Sequence, residues 1–301
     1  MSRKKQAVCL SVLLLIVPVL LLCFAFCLPA QYGKTYLAAL TDKAAALDKA
    51  ESPKIVLIGG SGAAFGFDCE LLEEQFPGYR AVNFGLYAGL GTTVMLELAL
   101  PALNSGDIVI FSPELSKQTL SDWFDALSMW QAAEENPALL LRLDASRWQD
   151  MLAAFPSYAA QKAKFALLRA DPNESGVYAR SSFTEKGDVQ ASLRPSNQMP
   201  GGWDGNMPLR FDDDSPTEDF IQRVNDFTEA CRKKNVRVYF RFCPMNESAM
   251  QAEERERRVS PGIYPAVQFR FERRYIEYIF HEKLGNQSVH RQRDLCQLRL
   301  R

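Results

Sequence analysis

Between Lys54 and Glu114 the chain repeats one pattern three times: a short apolar run, a glycine-bearing loop, then a helix-prone stretch. KIVLIGGS (54–61) reads as a buried strand ending in a glycine turn, and RAVNFGL (80–86) and DIVIFSPE (107–114) read as two more strands. CELLEEQF (69–76) reads as a helix with Asp68 as N-cap, and Pro77 and Gly78 close it. Thr92–Leu103 is apolar at helical spacing, and Asn104, Ser105 and Gly106 form a turn. Such alternation predicts a parallel sheet covered by helices, with ligands bound at the carboxyl ends of the strands. The glycine loops after Ile58 and Phe84 lie where a site is expected.

The N-terminus sets the expected compartment. Arg3, Lys4 and Lys5 precede residues 7–30, which carry no charge. Twenty-four helical residues would span about 36 Å, more than the roughly 30 Å hydrocarbon core. Residues 1–30 therefore read as a cytoplasmic basic flank and a signal-anchor transmembrane helix, with the bulk of the chain extracytoplasmic. A cleaved signal peptide is the alternative. Residues 31–52, rich in Ala and Lys, read as a helical stalk, and residues 53–250 as one α/β domain.

Within that domain, residues 116–170 are helical by pattern. Residues 171–215 are rich in Pro, Gly, Asn, Asp and Ser and read as a surface excursion over the site. Residues 216–235 form an amphipathic helix with Pro216 near its first turn, and VRVYFRFCP (236–244) is a fourth strand. Residues 251–301 change character. From residue 252 on there are eleven Lys/Arg against seven Asp/Glu, without a trusted strand–helix alternation. Two readings stand for this tail: a basic C-terminal helix, or a change of coding frame between about Arg255 and Val267.

Composition excludes several classes. With 35 Lys+Arg and 36 Asp+Glu, the net charge of −1 argues against a nucleic-acid binder. Seven Cys in 301 residues are too few for a disulfide scaffold. Cys9, Cys23 and Cys27 lie in the apolar run; Cys69, Cys231, Cys243 and Cys296 have no assignable pairing. No C-x-x-C occurs, and Asp212, Asp213 and Asp214 lack the spacing of a Ca²⁺ loop, so neither metal nor cofactor is expected.

Two blocks are placed for chemistry. GGSGAAFGFD (59–68) puts Ser61 directly after a strand, with backbone N–H groups turned into the loop. It is not a Walker A loop, since no Lys follows. Phe65 breaks the dinucleotide fingerprint and Ala63 breaks the α/β-hydrolase elbow, which argues against a soluble nucleotide-binding protein. AVNFGLYAGLGTT (81–93) carries the Asn83 amide, with Gly85, Gly89 and Gly91 allowing close backbone approach. Each block also reads as a plain packing turn. Trp123, Trp130 and Trp203 suit either stacking on sugars or packing in a core.

Together the blocks resemble the SGNH, or GDSL-like, hydrolase superfamily, over roughly residues 53–115 and more weakly 216–246. The resemblance implies a flavodoxin-like three-layer α/β/α sandwich. It implies Ser61 as nucleophile and an oxyanion hole from Gly89, with Gly85 as alternative and Asn83 shaping the loop. The N-terminal anchor and the G-G-S-x-x-x-F-G-F-D form resemble the envelope branch, as in alginate O-acetylation or D-alanyl transfer to teichoic acid. The implied partner is a cell-envelope polysaccharide or teichoic-acid-like polymer, and the implied chemistry is that of a serine esterase or O-acyltransferase. Two features depart from the family. Ser112, Pro113 and Glu114 stand where an oxyanion-hole asparagine is usual. The C-terminal D-x-x-H is missing: His281 and His290 are the only histidines, with Tyr278 and Gln287 at the Asp position. A non-catalytic envelope glycan-binding or assembly protein on the same fold is therefore the alternative.

Overall fold

A computed structural model describes residues 16–114, 116–172, 176–195 and 216–243. Its centre is β1 (Lys54–Ile58), five residues buried in succession, as befits a strand covered on both faces. β2 (Arg80–Asn83) and β3 (Ile108–Phe111) flank it, and β4 (Arg237–Phe240) pairs with β3. All three pairings are parallel, in the order β2-β1-β3-β4. The chain leaves β1 toward β2 on one side and later returns to β3 on the other. The connections thus diverge at the carboxyl ends of β1 and β3, where such sheets open a crevice.

Alternate strand residues face opposite ways and feed two cores. Val56, Ile58, Val82, Val109 and Phe111 join the larger one. Ile55, Leu57 and Ala81 join a smaller one with Cys69. The helices are α1 (residues 16–26), α2 (Ala39–Lys49), α3 (Ser61–Gly66), α4 (Cys69–Gln75), α5 (Thr92–Ala99), α6 (Ala126–Ala132), α7 (Trp148–Leu168) and α8 (Glu218–Lys233). The expected caps are present at α4, where Asp68 accepts from the N–H groups of Glu70 and Leu71. In α8, Thr217 caps the start, acidic residues occupy the first turn and basic residues the last, as the helix dipole favours.

Two expectations need correction. Residues 31–52 are not a stalk: Ala39, Leu40, Ala44 and Leu47 of α2 are buried in the larger core, and Lys43 is buried with them. The α/β domain therefore takes in this helix. The described part of the 171–215 excursion is not merely superficial. Val177, Ser182, Asp188 and Val189 are buried, and the Asn83 N–H donates to Lys186 O at 2.8 Å, tying the end of β2 to that segment. Among the described residues no helix is long and apolar enough to cross a membrane. Residues 1–15 lie outside them, as do Trp203, Asp212, Asp213, Asp214 and the whole 251–301 tail.

The N-terminal segment is fastened to the domain. The Phe26 ring stacks on Phe155 at 6.0 Å and meets Trp130 edge-on at 6.5 Å. Lys162 Nζ donates to Ala25 O and pairs with Glu134, both at 2.9 Å. The other Glu134 oxygen accepts from the N–H groups of Gln31 and Tyr32.

Candidate active site

Ser61 is the first residue of α3, three residues beyond the end of β1. The bonding of α3 begins with Ala64 N–H donating to Gly60 O, so the helix itself uses none of the N–H groups of Ser61, Gly62 and Ala63. One of the three is taken from outside. Gly62 N–H donates to Glu114 Oε1 at 2.6 Å, a short charge-assisted bond. The Ser61 hydroxyl faces the same oxygen, Oγ to Oε1, at 3.5 Å. Glu114 Oε2 is buried and takes no hydrogen bond from the described residues. The fit requires glycine at position 60, because a Cβ there would lie 2.5–2.6 Å from both Glu114 oxygens.

Glu114 is held by the sheet. Ser112 N–H donates to Ile58 O at 2.7 Å, which continues the pairing of β3 with β1 past the strand ends. On the other side, Cys243 N–H donates to Pro113 O and the Cys243 thiol to Ser112 O at 2.9 Å. Burial, reinforced by the Glu114 charge, pushes the Cys243 thiol up to about 12, so it is a packing thiol and not a nucleophile.

The second glycine block locks against the first. Phe84 N–H and Leu86 N–H donate to Leu57 O and Gly59 O, and a Cβ on Gly85 would fall 2.7 Å from Ala63 Cβ. The buried Asn83 amide donates to Ala63 O at 3.0 Å, Ala64 O at 3.4 Å and Asp188 Oδ1 at 2.9 Å. Its Oδ1 accepts from Gly85 N–H at 3.1 Å. Asn83 thus shapes the loop, as expected. As oxyanion donors, however, Asn83 and Gly85 are both spent on loop packing. Gly89 is different. It lies in the 3₁₀ turn Ala88–Leu90, whose bonds begin with Leu90 N–H to Tyr87 O and do not use the Gly89 N–H. Its carbonyl accepts from Trp123 Nε1 at 2.9 Å.

Beneath these loops lies a polar group that sequence reasoning did not find. Lys43 Nζ donates to Asn83 O at 3.1 Å and to Gly187 O, and lies 4.1 Å over the Phe183 ring. Asp188 accepts from Cys69 N–H at 2.7 Å as well as from Asn83. Burial moves Lys43 down to about 7 and Asp188 upward, each toward its neutral form. Beside α3, Tyr36 stacks on Phe65 at 5.9 Å and meets Tyr87, Tyr178 and Phe183. Burial first, and then the Glu114 charge, raise the Tyr36 hydroxyl, which donates to Leu86 O. Tyr87 and Tyr178 are exposed, giving the site an aromatic wall.

Of the expected site residues, the structure brings Ser61, Gly85, Asn83 and Gly89 together at one end of the sheet. His281 and His290 lie outside the described residues. Glu114 joins the site, although from sequence it stood only as a departure from asparagine. The arrangement supplies a hydroxyl facing a carboxylate, with backbone N–H donors on the same loops that no described residue takes up. No protein-family model, curated protein or solved structure matches the chain.

Proposed function

We propose that this chain is a membrane-anchored, extracytoplasmic SGNH-like esterase or O-acyltransferase acting on a cell-envelope polymer. The observation that carries this reading is Ser61 at the carboxyl end of β1, beside the β1/β3 divergence, with its hydroxyl facing Glu114 at 3.5 Å. The strand order supports a flavodoxin-like sandwich. Residues 7–30 supply the anchor in this reading, and the exposed rings of Tyr87 and Tyr178 suit a sugar or polyol acceptor. Ser61 attacks the acyl carbonyl, and the N–H groups of Ser61 and Gly89 receive the developing oxyanion. In the test, Ser61→Ala abolishes ester turnover and covalent labelling by a serine-reactive phosphonate. Unchanged turnover in that variant sinks the reading.

One observation favours the second reading, a non-catalytic glycan-binding or assembly protein. The Glu114 carboxylate occupies the Gly62 N–H, and an ionised group there repels an oxyanion. That reading predicts glycan binding by the wild-type chain with no labelling of Ser61.

A further inference from the structure

We infer that Glu114 is the proton acceptor for Ser61, in the role a histidine holds in most serine hydrolases. The inference rests on the esterase reading above and names the base which that reading lacks. Three observations carry it. Glu114 Oε1 is the hydrogen-bond acceptor that the Ser61 hydroxyl faces, at 3.5 Å, a length that catalytic pairs often show before substrate tightens them. The carboxylate is fixed, with Oε1 on the Gly62 N–H and its loop pinned to β1 and β4. Its Oε2 is buried with no hydrogen-bond partner among the described residues, which is uncommon for a purely structural carboxylate.

Among the described residues, the neighbouring groups do not fit the role. The Cys243 thiol is spent on Ser112 O, and the Tyr36 hydroxyl on Leu86 O. Asp188 is bound to Cys69 and Asn83, and Lys43 to Asn83 and Gly187.

As Ser61 Oγ forms its bond to the acyl carbon, the hydroxyl proton passes to Glu114 Oε1 and the carbonyl electron pair moves onto oxygen. The tetrahedral species collapses, reforming C=O and breaking the bond to the leaving oxygen. The Glu114 carboxyl returns its proton to that oxygen, which leaves an alcohol, an acyl-Ser61 and a carboxylate. In the second half an acceptor hydroxyl or water gives its proton to Glu114 and attacks the acyl group. Ser61 Oγ departs and takes the proton back.

The test uses the full chain with p-nitrophenyl acetate, reading the acylation burst of wild type, Glu114→Gln, Glu114→Ala and Ser61→Ala. Thermal unfolding of each variant checks the fold. Glutamine keeps an acceptor for the Gly62 N–H and removes the base, so it should slow acylation by about 10²-fold or more. Added formate should restore acylation in Glu114→Ala but not in Ser61→Ala, a recovery that a merely structural carboxylate would not give. Should Glu114→Gln fail to fold, Glu114→Ala with formate decides: recovery supports the assignment and its absence overturns it. A folded Glu114→Gln that acylates within about threefold of wild type, with Ser61→Ala inert, overturns Glu114 as base and leaves the esterase reading standing. An inert wild type, or a Ser61→Ala that acylates normally, overturns both.

Discussion

Lys54 Nζ lies 3.0 Å from Asp107 Oδ2, and both side chains are sealed from solvent, at 1% and 0% exposure. The same carboxylate accepts from Lys54 N–H at 3.0 Å and from Asn104 N–H at 2.8 Å. It thus ties the starts of β1 and β3 together, at the end of the sheet away from Ser61. Asp107→Ala would strand a buried ammonium and should cost about 3–5 kcal/mol in urea unfolding. Replacing both partners, with Lys54→Met and Asp107→Leu, should recover part of that loss, the Lys54 and Asn104 N–H groups still lacking their acceptor. A double variant no more stable than Asp107→Ala would show that the charge pairing is not what the single change removes.

Lys43 gives a pH dependence with a definite sign. Burial pulls its ammonium from the ordinary 10.5 to about 7, against the opposing charges of Asp188 and Cys69. Above pH 7 the folded state holds Lys43 neutral while the unfolded chain keeps the proton, so the unfolded state binds more protons and stability rises with pH. The contribution is complete above 10.5 and is lost as pH falls through 7. Cys69, whose thiol burial raises strongly, acts in the opposite sense above about pH 9. The clean window is therefore pH 7 to 9, where the wild-type Tm should climb. Lys43→Met should flatten that climb whatever its effect on absolute stability. Equal slopes in the two proteins would refute the assignment.

Gly85→Ala tests the seam between the two glycine blocks. Its Cβ would lie 2.7 Å from Ala63 Cβ and 2.8 Å from Ala64 N, and the second of these is backbone. Overpacking there should destabilise by about 1–3 kcal/mol and shift α3, lowering any Ser61-dependent turnover with it. Gly66 is the control: nothing lies within 4 Å of a Cβ there, so Gly66→Ala should leave both stability and turnover near wild type.

The sheet was readable because its strands are apolar, short and set off by turn residues, and because Asp68 and Thr217 cap their helices locally. α2 was misread for one reason. Its buried stripe, Leu40, Lys43, Ala44 and Leu47, has ideal helical spacing, but a lysine in the stripe reads as a solvated face. α3 has the opposite history. SGAAFG begins near glycine and ends on it, which reads as a loop, and the helix is braced by the Asn83 amide from a distant strand. Ser61, Gly85, Asn83 and Gly89 were legible as neighbours because strand order brings their loops to one end. Glu114 was legible as a position only. Its contact with Gly62 spans 52 residues, and no local pattern encodes which way a carboxylate on the third loop turns. The same holds for Asp188, which reaches Cys69 across 119 residues.

The fastening of Ala25, Gln31 and Tyr32 to Lys162 and Glu134 makes the entry of the chain a strut and not a leash. A free tether would let Ser61 sweep a volume set by linker length. A clamped one fixes Ser61 at one distance and in one orientation relative to α1. In the anchored reading proposed above, a distant substrate must then come to the site, because the site cannot travel to it.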